Sequence, residues 1–190
     1  MNEVANKEFI HLKNHTQYSI CEGALRITDL AKYCKTNKIR AAGLCDSNNL
    51  CGALEFSELI AKSKTQPIIG TQINIQYKDH IGKIPLFAKD LEGYKNLIKL
   101  SSKSFLEIKD NEEPHCKIED IETHYKGLIL LTGSFDGLIG KLFFKNLTDE
   151  IFLLFKRFER TFSNNFYVEI QRHGDDGEKL FEKFLLNTSD

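Results

Sequence analysis

Residues 40–56 read RAAGLCDSNNLCGALEF, and this stretch sets the architecture. Ala41 to Asp46 is a short apolar run ending in polar residues, as expected of a buried strand whose carboxyl end opens onto a loop. Gly52 to Lys64 then has a helical pattern that brings Leu54, Leu59 and Ile60 near one side. A buried strand passing straight into a helix is half of a βα unit.

The flanking sequence repeats that alternation. Glu8 to His15 reads as a strand entering a turn, and Thr28 is expected to cap a helix through about Asn37, with Asp29 in its first turn. Pro67 to Tyr77 is β-branched and alternates through Ile73, Ile75 and Tyr77, a strand, and Ile84 to Ala88 is another. Asp90 is placed to cap a helix carrying Leu91, Tyr94, Leu97 and Ile98 at three- and four-residue steps. Residues 106–116 (LEIKDNEEPHC) are polar, contain Pro114 and read as a mobile loop, followed by a helical turn over Ile118 to Thr123. Gly127 to Thr132 is a buried strand. Helices are expected near 136–145 and 148–162, the second turning Ile151, Leu154, Phe155, Phe158 and Phe162 towards a core. Phe166 to Gln171 is a sixth strand and Glu178 to Leu186 a final helix.

Six strands alternating with helices imply an α/β fold with a parallel sheet and crossover helices. An eight-stranded barrel takes about 250 residues. The chain has 190, and its pattern stops after a helix, where a strand is due. The expectation is one domain, 1–190, incomplete at its C-terminal end.

Composition narrows the function classes. A formal net charge of -1 gives no field to attract nucleic acid, so weak or no direct DNA binding is expected. Five cysteines (Cys21, Cys34, Cys45, Cys51, Cys116) at irregular spacing, without a CxxC pair, point to reduced thiols in a cytosol. No run approaches membrane-span length and the start lacks a signal-peptide stretch, so a soluble cytoplasmic protein is expected, with no membrane partner.

Chemistry in α/β folds collects where strands end. The polar residues there are His15, Asp46, Ser47, Gln72, Glu169 and His173, with Glu22 in the first loop. His15, Glu22 and His173 are the candidate metal set, since imidazole and carboxylate suit zinc or manganese. Spacing alone argues against such a site, because no HxH, HExxH or DxD cluster occurs. His11 and His15 lie in a segment read as strand and share no helical face. His115, Cys116 and His124 read as surface residues around the polar loop, and Cys45 and Cys51 as small core fillers. GxSxG, Walker A and GxGxxG patterns are absent.

Six collinear stretches carry a family resemblance: FIHLKNHTQYSICEG (9–23), RAAGLCDSNNLCGALEF (40–56), QPIIGTQINI (66–75), LFAKDLEGYKNLIKLSSKSF (86–105), GLILLTGS (127–134) and FYVEIQRHG (166–174). In this order they resemble the PHP (polymerase-and-histidinol-phosphatase) domain that opens the bacterial DNA polymerase III alpha subunits. The resemblance implies a partial distorted (β/α)7 barrel of the PHP type, with about six strands present. Complete members hold up to three metals on His, Asp and Glu at the strand ends. Carried across, the first His-x-His pair falls on Lys13 and His15, and the next acidic position on Glu22. The Thr-Asp-His histidine falls on Ser47, beside a retained Asp46. The Gly-x-Glu carboxylate falls on Gln72, the histidine before the fourth strand near Lys83, and the Glu-Ile-Gln-x-His histidine on His173. The final Asn-Asp-x-His pair would lie past Asp190.

What the resemblance implies is a non-catalytic scaffold in DNA replication, without the active site of the DNA-directed DNA polymerase (a nucleotidyltransferase). His15, Glu22 and His173 are then remnant, unoccupied metal positions, and a cation at Lys13 repels any metal. The implied partners are the remaining polymerase domains, the replicase subunits and the proofreading exonuclease subunit. No cofactor is expected, or zinc or manganese if the site is still occupied. The alternative is a metal-dependent phosphoesterase or 3'-5' exonuclease using the reduced site. A free-standing sugar-phosphate or histidinol-phosphate phosphatase is disfavoured, because GTQINIQY (70–77) and GYKNLIKLSSKSF (93–105) resemble the polymerase branch.

Overall fold

The computed structural model describes residues 9–188, so Glu8 of the expected first strand lies outside the described residues. The chain divides into two compact units. One runs to Ser47 and resumes over Cys51–Ile69; the other comprises Asn48–Leu50 and everything from Gly70.

The first unit contains α1 (Ile27–Asn37), β1 (Ala41–Ser47), α2 (Ala53–Lys62) and the start of β2 (Gln66–Tyr77). Its core is Ile27, Leu30 and Cys34 of α1, Leu44 and Cys45 of β1, and Ala53, Phe56 and Ile60 of α2. The helix α1 begins one residue before Thr28. Arg26 occupies the cap without a side-chain hydrogen bond, and its carbonyl accepts from the backbone N–H groups of Asp29 and Leu30 at 3.0 and 3.1 Å. Fully buried Ile27 fixes that start, since an apolar residue drawn into the core outweighs a missing cap. In α2 the buried face is Ala53, Phe56 and Ile60, whereas Leu54 is exposed, so the expected apolar side is rotated.

Residues 9–15 form no regular strand. They run beside β1 with His11 O accepting from Gly43 N at 2.8 Å and Asn14 O from Cys45 N at 3.0 Å. Three steps on one side thus match two on the other, the mismatch of a bulge. The Asn14 amide then donates to both His11 O and Gly43 O, at 3.1 and 2.9 Å, taking carbonyls that a ladder would use. The segment also presses on Gly43, where a Cβ would stand 2.2 Å from Leu12 O.

In the second unit β2 continues, with Gly70 opposite Phe87 and Tyr77 opposite His80, as an antiparallel pair with β3 (His80–Ala88). The connection is only Lys78 and Asp79, with Lys78 at φ 53°. A parallel pair would need a crossover of about a dozen residues. β3 is again antiparallel to β5 (Leu128–Leu131), while β5 with β6 (Phe166–Tyr167), and β2 with β4 (Cys116–Lys117), are parallel. The six-stranded sheet, in the order β1-β2-β3-β5-β6 with β4 beside β2, is therefore mixed and not all parallel. The expected α/β class and strand number hold, whereas the sixth strand is shorter than Phe166 to Gln171.

Helices α3 (Leu91–Leu106), α4 (Ile118–Thr123), α5 (Leu138–Phe144), α6 (Thr148–Phe162) and α7 (Glu178–Thr188) complete this unit. As the sequence predicts, Asp90 caps α3 by accepting from Gly93 N at 2.9 Å, and α6 buries Ile151, Leu154, Phe155, Phe158 and Phe162. These pack with Ile73, Ile75, Ile84, Leu86, Leu97, Leu100, Leu128 and Leu130 in one apolar cluster that includes Phe181 and Leu185 of α7. His115 and Cys116 are buried and do not face solvent as expected. His115 N donates to Ser104 O at 3.1 Å and the Cys116 thiol to Leu100 O at 3.2 Å, so backbone acceptors pull the end of the polar loop inward. Burial pushes the Cys116 thiol up to about 12. No described helix is long and apolar enough to cross a membrane.

Candidate functional site

Within the first unit, the carboxyl end of β1 carries a polar knot. Asp46 is fully buried. Its Oδ1 accepts from Thr16 N and from Ser19 Oγ, both at 2.6 Å, and its Oδ2 from Thr16 Oγ1 at 2.8 Å. Ser19 Oγ in turn accepts from Ser47 N at 3.2 Å and stands 3.5 Å from His15 Nδ1. The Ser47 hydroxyl donates to Glu22 Oε2. Turn bonds shape the loop that delivers these groups: Glu22 N and Gly23 N both donate to Ser19 O, at 3.0 and 2.9 Å. The unit thus assembles His15, Glu22, Asp46 and Ser47 around the hydroxyl of Ser19.

That arrangement is poorly disposed to hold a cation. A carboxylate has about four in-plane lone-pair sites, and three on Asp46 are taken by protein donors. Where the family's motif has a histidine, Ser47 supplies a hydrogen-bond donor to Glu22 and no ligand nitrogen. Thr16, Ser19 and Ser47 present their hydrogens to the two carboxylates, so lone pairs that a metal would need are shared with protein donors.

The remaining positions belong to the second unit. Gln72 is buried, opposite Pro85, with its carbonyl accepting from Asn48 N at 2.8 Å; Lys83 lies opposite Asn74. Glu169 N donates to Thr132 Oγ1 at 2.9 Å, and Gln171 Nε2 donates to Glu169 Oε1. The exposed His173 begins a loop that wraps the first residue of α7. His173 N, Gly174 N and Asp175 N donate to Glu178 Oε2 at 2.7, 2.8 and 3.2 Å, and His173 N also reaches Oε1 at 3.0 Å. Burial alone would raise the Glu178 carboxyl, but the three backbone donors outweigh it and hold it below the ordinary range.

His173 Nδ1 lies 3.2 Å from Glu178 Oε1, and one ligand atom each from His173, Asp175 and Glu178 falls within 4.8 Å of the others. Three N–H groups crowd Oε2 and one of them also reaches Oε1, so the Glu178 carboxylate is already held by protein donors. The adjoining cavity, lined by Gly133, Glu169, Gln171 and Glu178 among others, holds about 10 Å³, room for one water and not for a substrate.

Sequence reasoning missed Thr16, Ser19 and Glu178. The signal for the first two was the hydroxyls of TQYS (16–19) just after an extended run, the residue types that bond to nearby backbone and side chains. For Glu178 it was an acid at a helix start after Gly-Asp-Asp-Gly.

Comparison with known proteins gives a consistent set of likenesses. The family model described as PHP domain matches residues 11–173. DNA polymerase III subunit alpha of Rickettsia prowazekii (strain Madrid E) is 38% identical over 180 residues, covering 94% of this chain and 15% of that protein. The Caulobacter vibrioides (strain NA1000 / CB15N) protein of the same name is 34% identical over 98% of this chain and 17% of its own length. The chain therefore spans roughly a sixth of the curated relatives it matches. Among solved structures, one described as a metal-dependent phosphoesterase from Bifidobacterium adolescentis is 16% identical with a TM-score of 0.40. It covers 50% of this chain and 32% of that one, a likeness too slight to carry weight.

Proposed function

The chain belongs to the PHP domain family, and from that premise we propose that it serves as the N-terminal PHP domain of a replicative DNA polymerase catalytic subunit, as a non-catalytic scaffold. In this reading it supports the polymerase domains, docks the proofreading exonuclease subunit and works in the cytoplasm with little or no direct DNA contact. His15, Glu22 and His173 are remnants of metal positions that no longer hold a metal.

The observation that carries the proposal is the engagement of Asp46 by three donors from Thr16 and Ser19, together with the bond from Ser47 to Glu22. Water activation for phosphoester attack needs cations held by free carboxylate and imidazole lone pairs. Here Lys13, Ser47, Gln72 and Lys83 stand at ligand positions of the family's motifs, and the retained acid is engaged by protein donors.

The second reading keeps zinc or manganese and a phosphoesterase or 3'-5' exonuclease activity. It is favoured by the proximity of His173, Asp175 and Glu178. Metal analysis of the chain purified without chelator, combined with a phosphoesterase assay, decides between the two. The scaffold reading expects less than one tightly bound ion per chain and no turnover. Two or more zinc or manganese ions with activity would replace it by the enzyme.

A further inference from the structure

The helix α3 presents two apolar rows, only one of which the fold uses. Gly93, Leu97, Leu100 and Ser104 are buried in the second unit. On the other side, Leu91, Ile98 and Phe105 recur every seven residues and remain 67%, 42% and 51% exposed, with Leu106 beside them at 79%. Residues seven apart drift by only about 20° around a helix, so the three form one stripe along a segment about 24 Å long. Half-buried Tyr94 and Ser101 continue it at the intervening three-residue steps. This is the seam spacing that another helix lies along.

One border of the stripe is basic. Lys95 and Lys99, one turn apart, are exposed, and among the described residues neither has a carboxylate within ion-pair distance. The next lysine, Lys103, contrasts with them, being paired to Glu107 and Asp120 at 2.9 and 3.0 Å. Glu92 is the one acidic residue on that border. The opposite border holds Tyr94 and Ser101 and carries no charge.

We propose that the outer face of α3 docks an acidic amphipathic helix of a separate protein. Leu91, Ile98 and Phe105 supply the apolar seam, while Lys95 and Lys99 select carboxylates along one edge of the partner. A lipid surface fits less well, because it is engaged by cations flanking both sides of an apolar face. Nucleic acid fits less well still, since two lysines on a chain of net charge -1 give little counterion release. The proposal does not depend on whether the domain is a scaffold or an enzyme.

The test uses the full chain and two synthetic helical peptides of about three heptads with leucine at the seam, one flanked by glutamate and the other by lysine. The glutamate peptide is expected to bind. Lys95→Glu with Lys99→Glu should weaken it about tenfold, or 1.4 kcal/mol, and strengthen the lysine peptide by a similar factor. Ile98→Ser with Phe105→Ser should abolish binding of both. Thermal melts of each variant establish that it is folded, which surface positions permit. Equal affinity for the two peptides overturns the proposal, as does no binding of the glutamate peptide, or binding that ignores the stripe. Anionic phospholipid vesicles that bind through the same residues, where the glutamate peptide does not, also overturn it and assign the face to a membrane.

Discussion

Asp46 in the first unit and Glu178 in the second are both buried carboxylates, and the donors that hold them differ in kind. Asp46 receives two hydroxyls and one backbone N–H from Thr16 and Ser19. Glu178 receives backbone N–H groups from three successive residues of its own approach loop, with the His173 ring nitrogen 3.2 Å from its other oxygen. Hydroxyl donors are specified by residue type and can be removed singly; backbone donors are specified by conformation and survive any substitution that keeps the turn. The first knot should accordingly be the more fragile under mutation, and the second the more sensitive to protonation of its acceptor.

The sharpest test is Asp46→Ala, which strands three buried donors. A loss of about 3 kcal/mol in urea unfolding is expected. A loss below about 1 kcal/mol would mean that the donors find water and that the contrast with Glu178 is false. Ser19→Ala removes one donor from Asp46 together with the acceptor for Ser47 N, and should cost about 1–2 kcal/mol in the same assay.

Glu178→Gln comes next, as a smaller fall in melting temperature with a particular pH dependence. Because the folded carboxyl is held below its ordinary value, its stabilisation is complete above the unfolded pKa of about 4.3 and is lost as pH falls through the lower folded value. The gap between wild type and Glu178→Gln should therefore be widest at neutral pH and close in acid. A gap that grows on acidification contradicts the nest. Ser47→Ala is the mildest, at about 0.5 kcal/mol, since Glu22 is exposed and can turn to solvent.

Thiol chemistry sharpens the comparison without altering stability. Cys21 and Cys51 are exposed and both in the first unit, so they should alkylate in the native protein. Buried Cys34 and Cys45 would then react only as the first unit opens, and Cys116 only as the second does. Identical rates for Cys45 and Cys116 would show that the two units open together.

Regular elements with long-range apolar periodicity were legible: β1, β2, β5, α3 with its Asp90 cap, and the five-residue apolar face of α6 are where the sequence places them. What escaped depended on pairing. The β2–β3 hairpin turns through Lys78 and Asp79, without the Asn-Gly or Asp-Gly pair that advertises such a turn. Segment 9–15 looks extended, and is, but its offset against β1 is set by Asn14 and by contact with Gly43. Of the site, His15, Asp46 and Ser47 were visible as polar residues at strand ends and Glu22 as an acid in the first loop, and the resemblance added what their positions hold in the family. The roles of Thr16 and Ser19 were not, since a hydroxyl says nothing of its partner until the backbone has brought one 27 or 30 residues distant within reach.

The meeting of Gly93 with Gly127 sets a schedule for synthesis. A Cβ on Gly93 would stand 1.8 Å from Gly127 O, so the start of α3 is seated against the strand that follows. Gly127 is made 34 residues after Gly93. At about 5–20 residues per second, that is a wait of roughly 2–7 s. Until then α3 has no seat for its first turn, and Leu97 and Leu100 lack the β5 side chains that share their cluster. Ribosome-stalled chains of increasing length should lose protease sensitivity in α3 only once residue 127 has emerged; earlier protection would show that the β2–β3 hairpin suffices to seat the helix.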